Sequence, residues 1–247
     1  MHQYQSLADD FYVTMNLGTE MDLSSSRDTI LHFAEQMQKK YPEMRNFYAR
    51  EKGDFVLEED KDTGRYRWCS IEPRRISSGQ VNPDTVDGAL AQHRHALELA
   101  PYVLSLSPLD CEALDVMIGF DFTYRGNHNQ LVAEALGICP GYERLASLPG
   151  TAFVNYEPNL TLSFDEECRV QCRVSLETRT TPYHIRTGEY QEDQISVYVT
   201  ARRYGSLEAS ATYVAVLDDL TKICQDVLDN YVVDSVLEPL ARTIALD

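Results

Sequence analysis

Residues 114–136 have the sequence LDVMIGFDFTYRGNHNQLVAEAL, and residues 13–35 have the sequence VTMNLGTEMDLSSSRDTILHFAE. A shift of 101 residues aligns the two stretches without a gap and places Met15 over Val116. In each stretch, apolar residues alternate with other residues and then give way to a polar junction. Such alternation is typical of a strand with one buried face. Apolar residues at helical spacing follow each junction, so the pattern predicts a strand, a turn and a helix in both stretches.

Both polar junctions end in a residue that favours the start of a helix. Ser26 ends the first junction and Asn127 ends the second. Their side-chain oxygens accept hydrogen bonds from the N–H groups that the first turn of a helix leaves unpaired. We therefore expect one helix to begin after Ser26 and another to begin after Asn127.

The rest of each half continues in the same order of patterns. Further matches occur at shifts of 105, 103 and 128 residues, and they join residues 55–57 to 160–162, 68–71 to 171–174 and 74–76 to 202–204. A long helical pattern closes each half, over about 84–106 and about 208–245. The second is expected to break near Asp229 or before Pro239. Strand, helix, several strands and a helix thus occur twice, which indicates an internal duplication.

The predicted fold class is α+β. Residues 1–108 and 109–247 form two β-α-β(n)-α repeats, and the second has an insertion near 177–194. The repeats are expected to join edge to edge as one curved antiparallel sheet with helices packed on one face, in one compact unit with a pseudo-twofold axis. This order of elements resembles, in architecture only, the duplicated fold named for the TATA-box-binding protein.

A helix-grip fold is the alternative architecture. In that fold one long C-terminal helix, here residues 208–245, lies across a curved sheet and covers a ligand cavity. The internal duplication favours the first architecture.

The net charge of the chain indicates which classes of partner it can bind. The chain has 247 residues, a formal net charge of −17 and a pI near 4.7. A nucleic-acid partner is not expected, because phosphate binding needs a basic surface, so the DNA role of the resembling fold is not carried over. Docking on an anionic membrane is disfavoured for the same reason. No apolar run has the length of a signal peptide or a membrane span, so we expect a soluble cytoplasmic protein.

The six cysteines lack the spacing of a metal site or a disulfide framework. Cys168 and Cys172 lie four residues apart in an apparent strand, which separates them by about 13 Å. That distance is too long for a disulfide or for one zinc ion. His93 and His95 lie two residues apart on a predicted helix and therefore point to different faces. We predict reduced, buried thiols and no metal or other cofactor.

Motifs for nucleophilic catalysis and for nucleotide phosphate binding are absent from the sequence. Their absence favours a binding or scaffold protein over an enzyme. The expected partner is an unidentified protein or small molecule, and a homodimer is compatible with this interpretation. The alternative is a small-ligand-binding protein or an enzyme with a cavity between the sheet and the helices.

Two pairs of arginines are candidate anion contacts. Arg74 and Arg75 match Arg202 and Arg203 at the shift of 128, in strand positions just before the closing helices. Adjacent residues of a strand point to opposite faces, so one arginine of each pair should face the helices. There it needs a carboxylate or the carbonyls of a helix C-terminus as its partner. The other arginine of each pair is expected on the open face of the sheet.

The shift between the two halves rises by about 25 residues between Cys172 and Arg202, and we place the insertion within 177–194, which have the sequence ETRTTPYHIRTGEYQEDQ. A connection of this length is often functional. Its Tyr183, His184, Arg186 and Tyr190 are residue types that make contacts at binding sites. We expect these four side chains to lie on a projecting hairpin.

Overall fold

The structure is a computed structural model that describes Tyr4, residues 6–50 and residues 53–246. Nine strands of this described chain form one antiparallel sheet with the order β2-β3-β4-β5-β1-β6-β9-β8-β7. The strands are β1 (Asp10–Thr19), β2 (Asn46–Ala49), β3 (Phe55–Glu58), β4 (Tyr66–Glu72), β5 (Arg75–Val81), β6 (Cys111–Tyr124), β7 (Asn159–Ser163), β8 (Val170–Glu177) and β9 (Asp193–Tyr204). The predicted mixed α+β class with one large, curved antiparallel sheet is confirmed.

The α-helices are α1 (Arg27–Lys40), α2 (Val86–Val103), α3 (His128–Leu136), α4 (Glu143–Ala146), α5 (Pro182–Thr187), α6 (Tyr213–Val227) and α7 (Glu238–Leu246). The longer α-helices lie where the sequence patterns predict helices, whereas the short helices α4 and α5 were not predicted. Within the described ranges, none of these helices combines the length and the apolar character that crossing a membrane requires.

The C-terminal helical stretch changes its hydrogen-bonding pattern part-way along. α6 is followed directly by a π-helical segment, Leu228–Leu237, and then by α7. The chain therefore stays helical where a break was expected, near Asp229 or before Pro239, and only its hydrogen-bonding pattern changes. The stretch begins at Tyr213 rather than near residue 208. α7 packs against α3, so this end of the chain belongs to the second half of the fold.

One face of the sheet is apolar and buried under α2 and α6. His93 of α2 places Nδ1 2.9 Å from Ser78 Oγ, and Cys224 of α6 donates from Sγ to the Val199 carbonyl over 3.3 Å. The apolar face is built from alternate residues of the central strands, which are at most 1% exposed: Phe11, Val13, Met15, Leu17, Leu114, Val116, Ile118, Phe120, Val197, Val199 and Ala201. Burial of this face stabilises the fold, since each large apolar side chain contributes about 1.5–3 kcal/mol.

The opposite face of the same strands, which we call the polar face, carries hydroxyl, amide and charged groups. On β1 and β6, the Tyr12 ring lies over Gly119, where a Cβ would come within 2.4 Å of the ring. The Tyr12 hydroxyl donates to Asp121 Oδ1 over 3.3 Å. Burial raises the pKa of both Tyr12 and Asp121 above their ordinary values. Glycine at 119 thus allows an aromatic ring to lie flat across the centre of this face.

The two predicted helix starts differ in their capping. Asn127 caps α3, because its Oδ1 accepts hydrogen bonds from the N–H groups of Asn129 and Gln130 over 3.1 and 3.3 Å. Ser26 precedes α1 as expected but makes no side-chain cap hydrogen bond. The positions of both helix starts are therefore confirmed, and the capping interaction is confirmed at Asn127.

The expectation that the thiols are buried is wrong for two of the six cysteines. Cys168 lies in the turn before β8 with a φ of 56°, and both Cys168 and Cys139 are exposed. The alternating pattern extends from β8 into this turn, which explains the error. The other four thiols are buried, and all six are free.

Candidate functional site

A row of four hydrogen-bonded side chains crosses the polar face at the centre of the sheet. Ser77 in β5, Asn16 in β1, Asp115 in β6 and Arg202 in β9 are direct neighbours in the strand registers. Ser77 Oγ donates to Asn16 Oδ1 over 2.7 Å, and Asn16 Nδ2 donates to Asp115 Oδ1 over 2.9 Å. Arg202 donates from Nε and Nη2 to Asp115 Oδ2 over 3.0 and 2.7 Å. We call these four residues the central polar row.

The central polar row holds Arg202 in one position. The Asp115 side chain is only 4% exposed, so its charge has lost most of its hydration and depends on these bonds. Arg202 remains 41% exposed, and its guanidinium lies 5.7 Å from the centre of the Tyr204 ring. Asp115 takes Nε and Nη2, and the exposed remainder of the guanidinium is accessible to a ligand.

Arg202 borders two hollows on the polar face. The first hollow has a volume of about 500 Å³ and brings together Arg74, Arg75 and Arg202. Each guanidinium already has a carboxylate neighbour. Arg202 is paired with Asp115, and Arg75 is paired with Glu72. Arg74 lies 3.6 Å from Glu20 and 3.9 Å from Glu112. The first hollow is therefore close to electrically neutral.

The second hollow has a volume of about 460 Å³ and a positive balance of charge. Arg173 and Arg202 supply two guanidiniums, and Glu177 supplies a carboxylate. Asp115 balances the charge of Arg202 here as it does in the first hollow, so the excess positive charge comes from Arg173. The Glu177 carboxylate is already engaged, because it accepts from the Tyr198 hydroxyl over 3.2 Å and lies 3.4 Å from Arg179 Nη1. Hydroxyl and amide groups complete the polar part of the lining, from Thr161, Gln171, Ser175, Thr200 and Tyr204. An oxyanion would thus meet net positive charge here on an otherwise acidic protein.

The insertion forms a third hollow of about 570 Å³, lined in part by Tyr183, His184 and Tyr190. The expected projecting hairpin is not present, since residues 182–187 form α5. Arg186 places its guanidinium 5.6 Å from the centre of the Tyr183 ring. Arg125, which precedes α3, donates from Nε to the Tyr190 carbonyl over 3.2 Å. The structure therefore brings the four predicted residues of the insertion together beside one strand-to-helix junction.

Two further hydrogen bonds tie the insertion to the start of α3. The His128 N–H donates to Thr180 Oγ1 over 2.9 Å, and the Arg179 N–H donates to His128 Nδ1 over 3.2 Å. Burial lowers the pKa of His128, which favours the neutral ring that this acceptor role requires. Its Nε2 lies 3.2 Å from the Tyr124 carbonyl and is therefore the protonated nitrogen.

The segment before β7 contains an apolar hollow that was not predicted from the sequence. It has a volume of about 640 Å³ and is lined by residues within 138–156, including Leu145, Phe153 and Val154. Leu145 and Val154 are themselves 59% and 51% exposed. The segment has little regular structure, so no helical or strand periodicity marked these residues as a surface.

The two predicted arginine pairs do not occupy equivalent positions. Arg74 lies in the turn before β5 and Arg75 begins that strand, whereas Arg202 and Arg203 lie near the end of β9. The match at a shift of 128 is therefore wrong. Arg203 lies on the opposite side of β9 from Arg202 and donates from Nη1 to two carbonyls of the following turn over 3.1 and 3.3 Å. Tertiary structure nevertheless unites three of the four arginines in the first hollow.

Sequence reasoning missed Asp115 and Arg173, which are central to these hollows. The available signal was alternation in β8, where Gln171, Arg173, Ser175 and Glu177 are interleaved with apolar residues. That alternation identifies a polar side of the strand but not its neighbours. The pairing of Asp115 with Arg202 depends on strand order, which spacing does not reveal.

No protein-family model matches this chain, and no curated protein matches its sequence at a significant level. In the part of the chain that the structure describes, no group of three or more His, Cys, Asp or Glu side chains is placed to hold a metal ion.

Proposed function

We propose that this protein is a non-enzymatic binding module that holds its ligand against the polar face of the sheet. The observation that carries this proposal is the second hollow, where Arg173 and Arg202 border one space while Glu177 is already engaged. A volume of about 460 Å³ lies within the usual range for small-molecule sites. Paired guanidiniums favour a ligand with a carboxylate or phosphate group, because their N–H groups match the oxygens of such anions.

The central polar row supports this proposal by preorganising Arg202. A side chain that is already held in position loses less conformational entropy when a ligand binds. The rings of Tyr198 and Tyr204 border the same hollow and offer apolar surface beside the charged groups. The ligand that fits best is therefore a small molecule or a partner side chain that carries an oxyanion next to an apolar group.

The alternative of a ligand between the sheet and the helices has less support. The space between α1 and the neighbouring strands, lined by residues such as Phe33, Leu57 and Cys69, has a volume of about 10 Å³. Such a space holds one water molecule at most. The formal charge of −17 supports the further proposal that the partner is not a nucleic acid.

We also propose that the fold arose by duplication, with halves 1–108 and 109–247 and an architecture like that of the TATA-box-binding protein. One row across the apolar face supports this proposal, and its members in order are Leu57, Cys69, Ser78, Met15, Val116, Ala201, Cys172 and Leu162. The shift of 101 residues matches Met15 with Val116, the shift of 103 matches Cys69 with Cys172, and the shift of 105 matches Leu57 with Leu162. The two residues of each match lie equally far from the centre of the row. The row also equates Ser78 with Ala201, at a shift of 123.

The binding proposal is tested by calorimetric titration with inorganic phosphate, citrate and phenyl phosphate. The wild type is compared with Arg173→Gln and with Arg169→Gln, which changes an exposed arginine in the turn before β8. At least one probe should bind the wild type and Arg169→Gln equally, and should bind Arg173→Gln at least tenfold more weakly, which is about 1.4 kcal/mol. Failure of all three probes, or equal binding by Arg173→Gln, would contradict the proposal.

A further inference from the structure

The two ends of the sheet differ by one strand. On each side of the central pair β1 and β6 lie three strands, and β2 then continues the sheet beyond β3. No strand of the described residues continues it beyond β7. β7 is therefore an edge strand at the position where the other half of the sheet has added one more strand.

The backbone groups that β7 presents outward follow from its pairing with β8. The Pro158 carbonyl and the Phe164 N–H both bond to residues of the β8 side, over 3.2 and 2.8 Å. Backbone direction alternates along an antiparallel strand, so even-numbered residues point to β8. Asn159, Thr161 and Ser163 therefore direct their N–H and C=O groups away from the sheet. These three residues offer a short ladder to an incoming strand.

The same edge has uncovered apolar side chains. Leu160 and Leu162 are 59% and 49% exposed, although the register places them on the side of the sheet that is buried at its centre. β7 has the sequence NLTLS and contains neither a charge nor a proline. Natural edge strands are usually protected by such residues. An uncharged edge with exposed leucines is typical of a surface that accepts an extended segment.

The pairing of β2 with β3 shows which kind of strand this sheet accepts at its other end. β2 has the sequence NFYA, runs antiparallel to β3 and places Phe47 on the apolar side of the sheet. Arg45 and Arg50 flank β2, while Asp54 and Glu59 flank β3. The added strand is thus apolar at its centre and basic at both ends, and its acceptor is acidic at both ends.

β7 has the same acidic ends as β3. Glu157 lies just before the strand, and Asp165, Glu166 and Glu167 follow it. The basic neighbours are Arg169 and Arg173, whose Nε donates to Asn159 Oδ1 over 3.2 Å. We propose that the β7 edge binds an extended segment of a partner protein that runs antiparallel to β7. The segment has apolar residues at alternate positions, which cover the two leucines, and a basic residue at each end. The Thr161 side chain borders the second hollow, whereas the edge uses the outward backbone groups of β7 and requires a different ligand.

A second copy of the chain fits this edge less well. Antiparallel self-pairing centred on Thr161 places Glu157 of each copy opposite Asp165 of the other. Like charges that lie directly opposite each other destabilise a strand pair. Two chains with a net charge of −17 also repel each other at longer range. A basic partner segment removes both of these penalties.

The test uses a peptide with the sequence of residues 44–50, MRNFYAR, with blocked ends and a fluorescent label. Its binding to the full chain is measured by anisotropy. Thr161→Pro removes an outward N–H at the centre of β7 and leaves the β8 ladder intact. Ala49→Pro is the matched control, because the Arg50 N–H bonds to the β3 side, so Ala49 faces outward at the other edge of the sheet.

We expect the wild type and Ala49→Pro to bind the peptide with the same affinity and Thr161→Pro to bind it at least tenfold more weakly. A peptide with glutamates in place of both arginines should also bind the wild type at least tenfold more weakly. Arg173→Gln loses a hydrogen bond to the Asn159 side chain but keeps the outward backbone groups of β7, so it should bind MRNFYAR no more weakly than the wild type does. This result distinguishes binding at the edge from binding in the second hollow.

Equal binding by Thr161→Pro, or no binding of the peptide to the wild type, would overturn the proposal. Self-association of the wild type that Thr161→Pro abolishes would identify a second copy as the occupant and would also overturn it. Circular dichroism establishes that the proline variants fold. If Thr161→Pro does not fold, hydrogen exchange of the wild type is measured with and without the peptide. Binding at this edge must slow the exchange of the Asn159, Thr161 and Ser163 amides. Unchanged exchange would refute binding at this edge.

Discussion

At the scale of single residues, Gly79 determines how the Trp68 ring lies on the polar face. A Cβ at position 79 would lie 2.3 Å from Cε2 of Trp68. Gly79→Ala should therefore lower the free energy of unfolding by about 1–3 kcal/mol, because the rigid indole has to move. Urea denaturation measures the change. Gly141→Ala is the control, since a Cβ there meets nothing within 4 Å, and it should change stability by less than about 0.5 kcal/mol.

A double-mutant cycle tests whether the indole causes that loss of stability. In a Trp68→Leu background the side chain that occupies the space is smaller and more flexible, so Gly79→Ala should cost much less than in the wild type. An unchanged cost in both backgrounds would show that the glycine is needed for a backbone reason instead.

His93 is the residue whose titration should influence stability most directly. It is completely buried between α2 and the sheet, and burial lowers its pKa to about 3, against about 6.5 in an unfolded chain. As the pH falls below about 6.5, the unfolded chain binds this proton first, so the free energy of unfolding falls by up to about 1.4 kcal/mol per pH unit until about pH 3. Above about pH 6.5 both states are neutral at this residue and it contributes no pH dependence.

The contribution of His93 is isolated by comparing how steeply the free energy of unfolding changes with pH in two variants, rather than by comparing the free energies themselves. His93→Leu removes the titrating group, so its free energy of unfolding should depend on pH by about one proton less than that of the wild type between pH 6 and pH 4. Urea denaturation at several pH values measures both slopes. Identical slopes would mean that His93 is protonated equally in both states.

At the scale of elements, the insertion should be separable from the sheet. Removing residues 182–190 and closing the gap with a short glycine turn should keep the fold and cost no more than about 1–2 kcal/mol, because loop length affects stability slowly and few core residues are lost. Thermal denaturation followed by circular dichroism measures this change. A variant that does not fold would show that α5 is structural.

Thr180 is the residue of the insertion that we expect to contribute to stability. Its hydroxyl accepts the His128 N–H at the start of α3. Adding Thr180→Ala to the deletion should therefore cost about 1 kcal/mol further, a loss typical of a lost helix cap. Equal stability of the deletion with and without Thr180→Ala would show that this hydrogen bond contributes little.

At the scale of the whole molecule, the six thiols report on the integrity of both halves. Cys139 and Cys168 are exposed and should react with a disulfide reagent quickly in the native protein. Cys69, Cys111, Cys172 and Cys224 should react only after unfolding, because burial raises the pKa of each, to about 12 for Cys69 and about 11 for Cys111 and Cys172. Native and denatured titrations should find two and six thiols. Three or more fast thiols would show that part of the core is open.

The sequence by itself determined the fold class and the central strands. Apolar residues at alternate positions identify β1 and β6 without any knowledge of their neighbours, because one side of a strand must be buried. The same local signals located the start of α3 at Asn127. They failed at Cys168, where alternation continued beyond the end of the ladder into a turn.

Only the tertiary structure decided where the charged groups meet and which edge is left open. Asp115 and Arg202 are 87 residues apart in sequence and become partners because β9 lies beside β6. Arg74 and Arg75 join Arg202 from the other half of the chain, although their match by sequence shift is wrong. The open edge at β7 likewise depends on strand order alone. The physical reason is that burial imposes a local period on a strand, whereas a polar contact across a sheet depends on neighbours that the period does not specify.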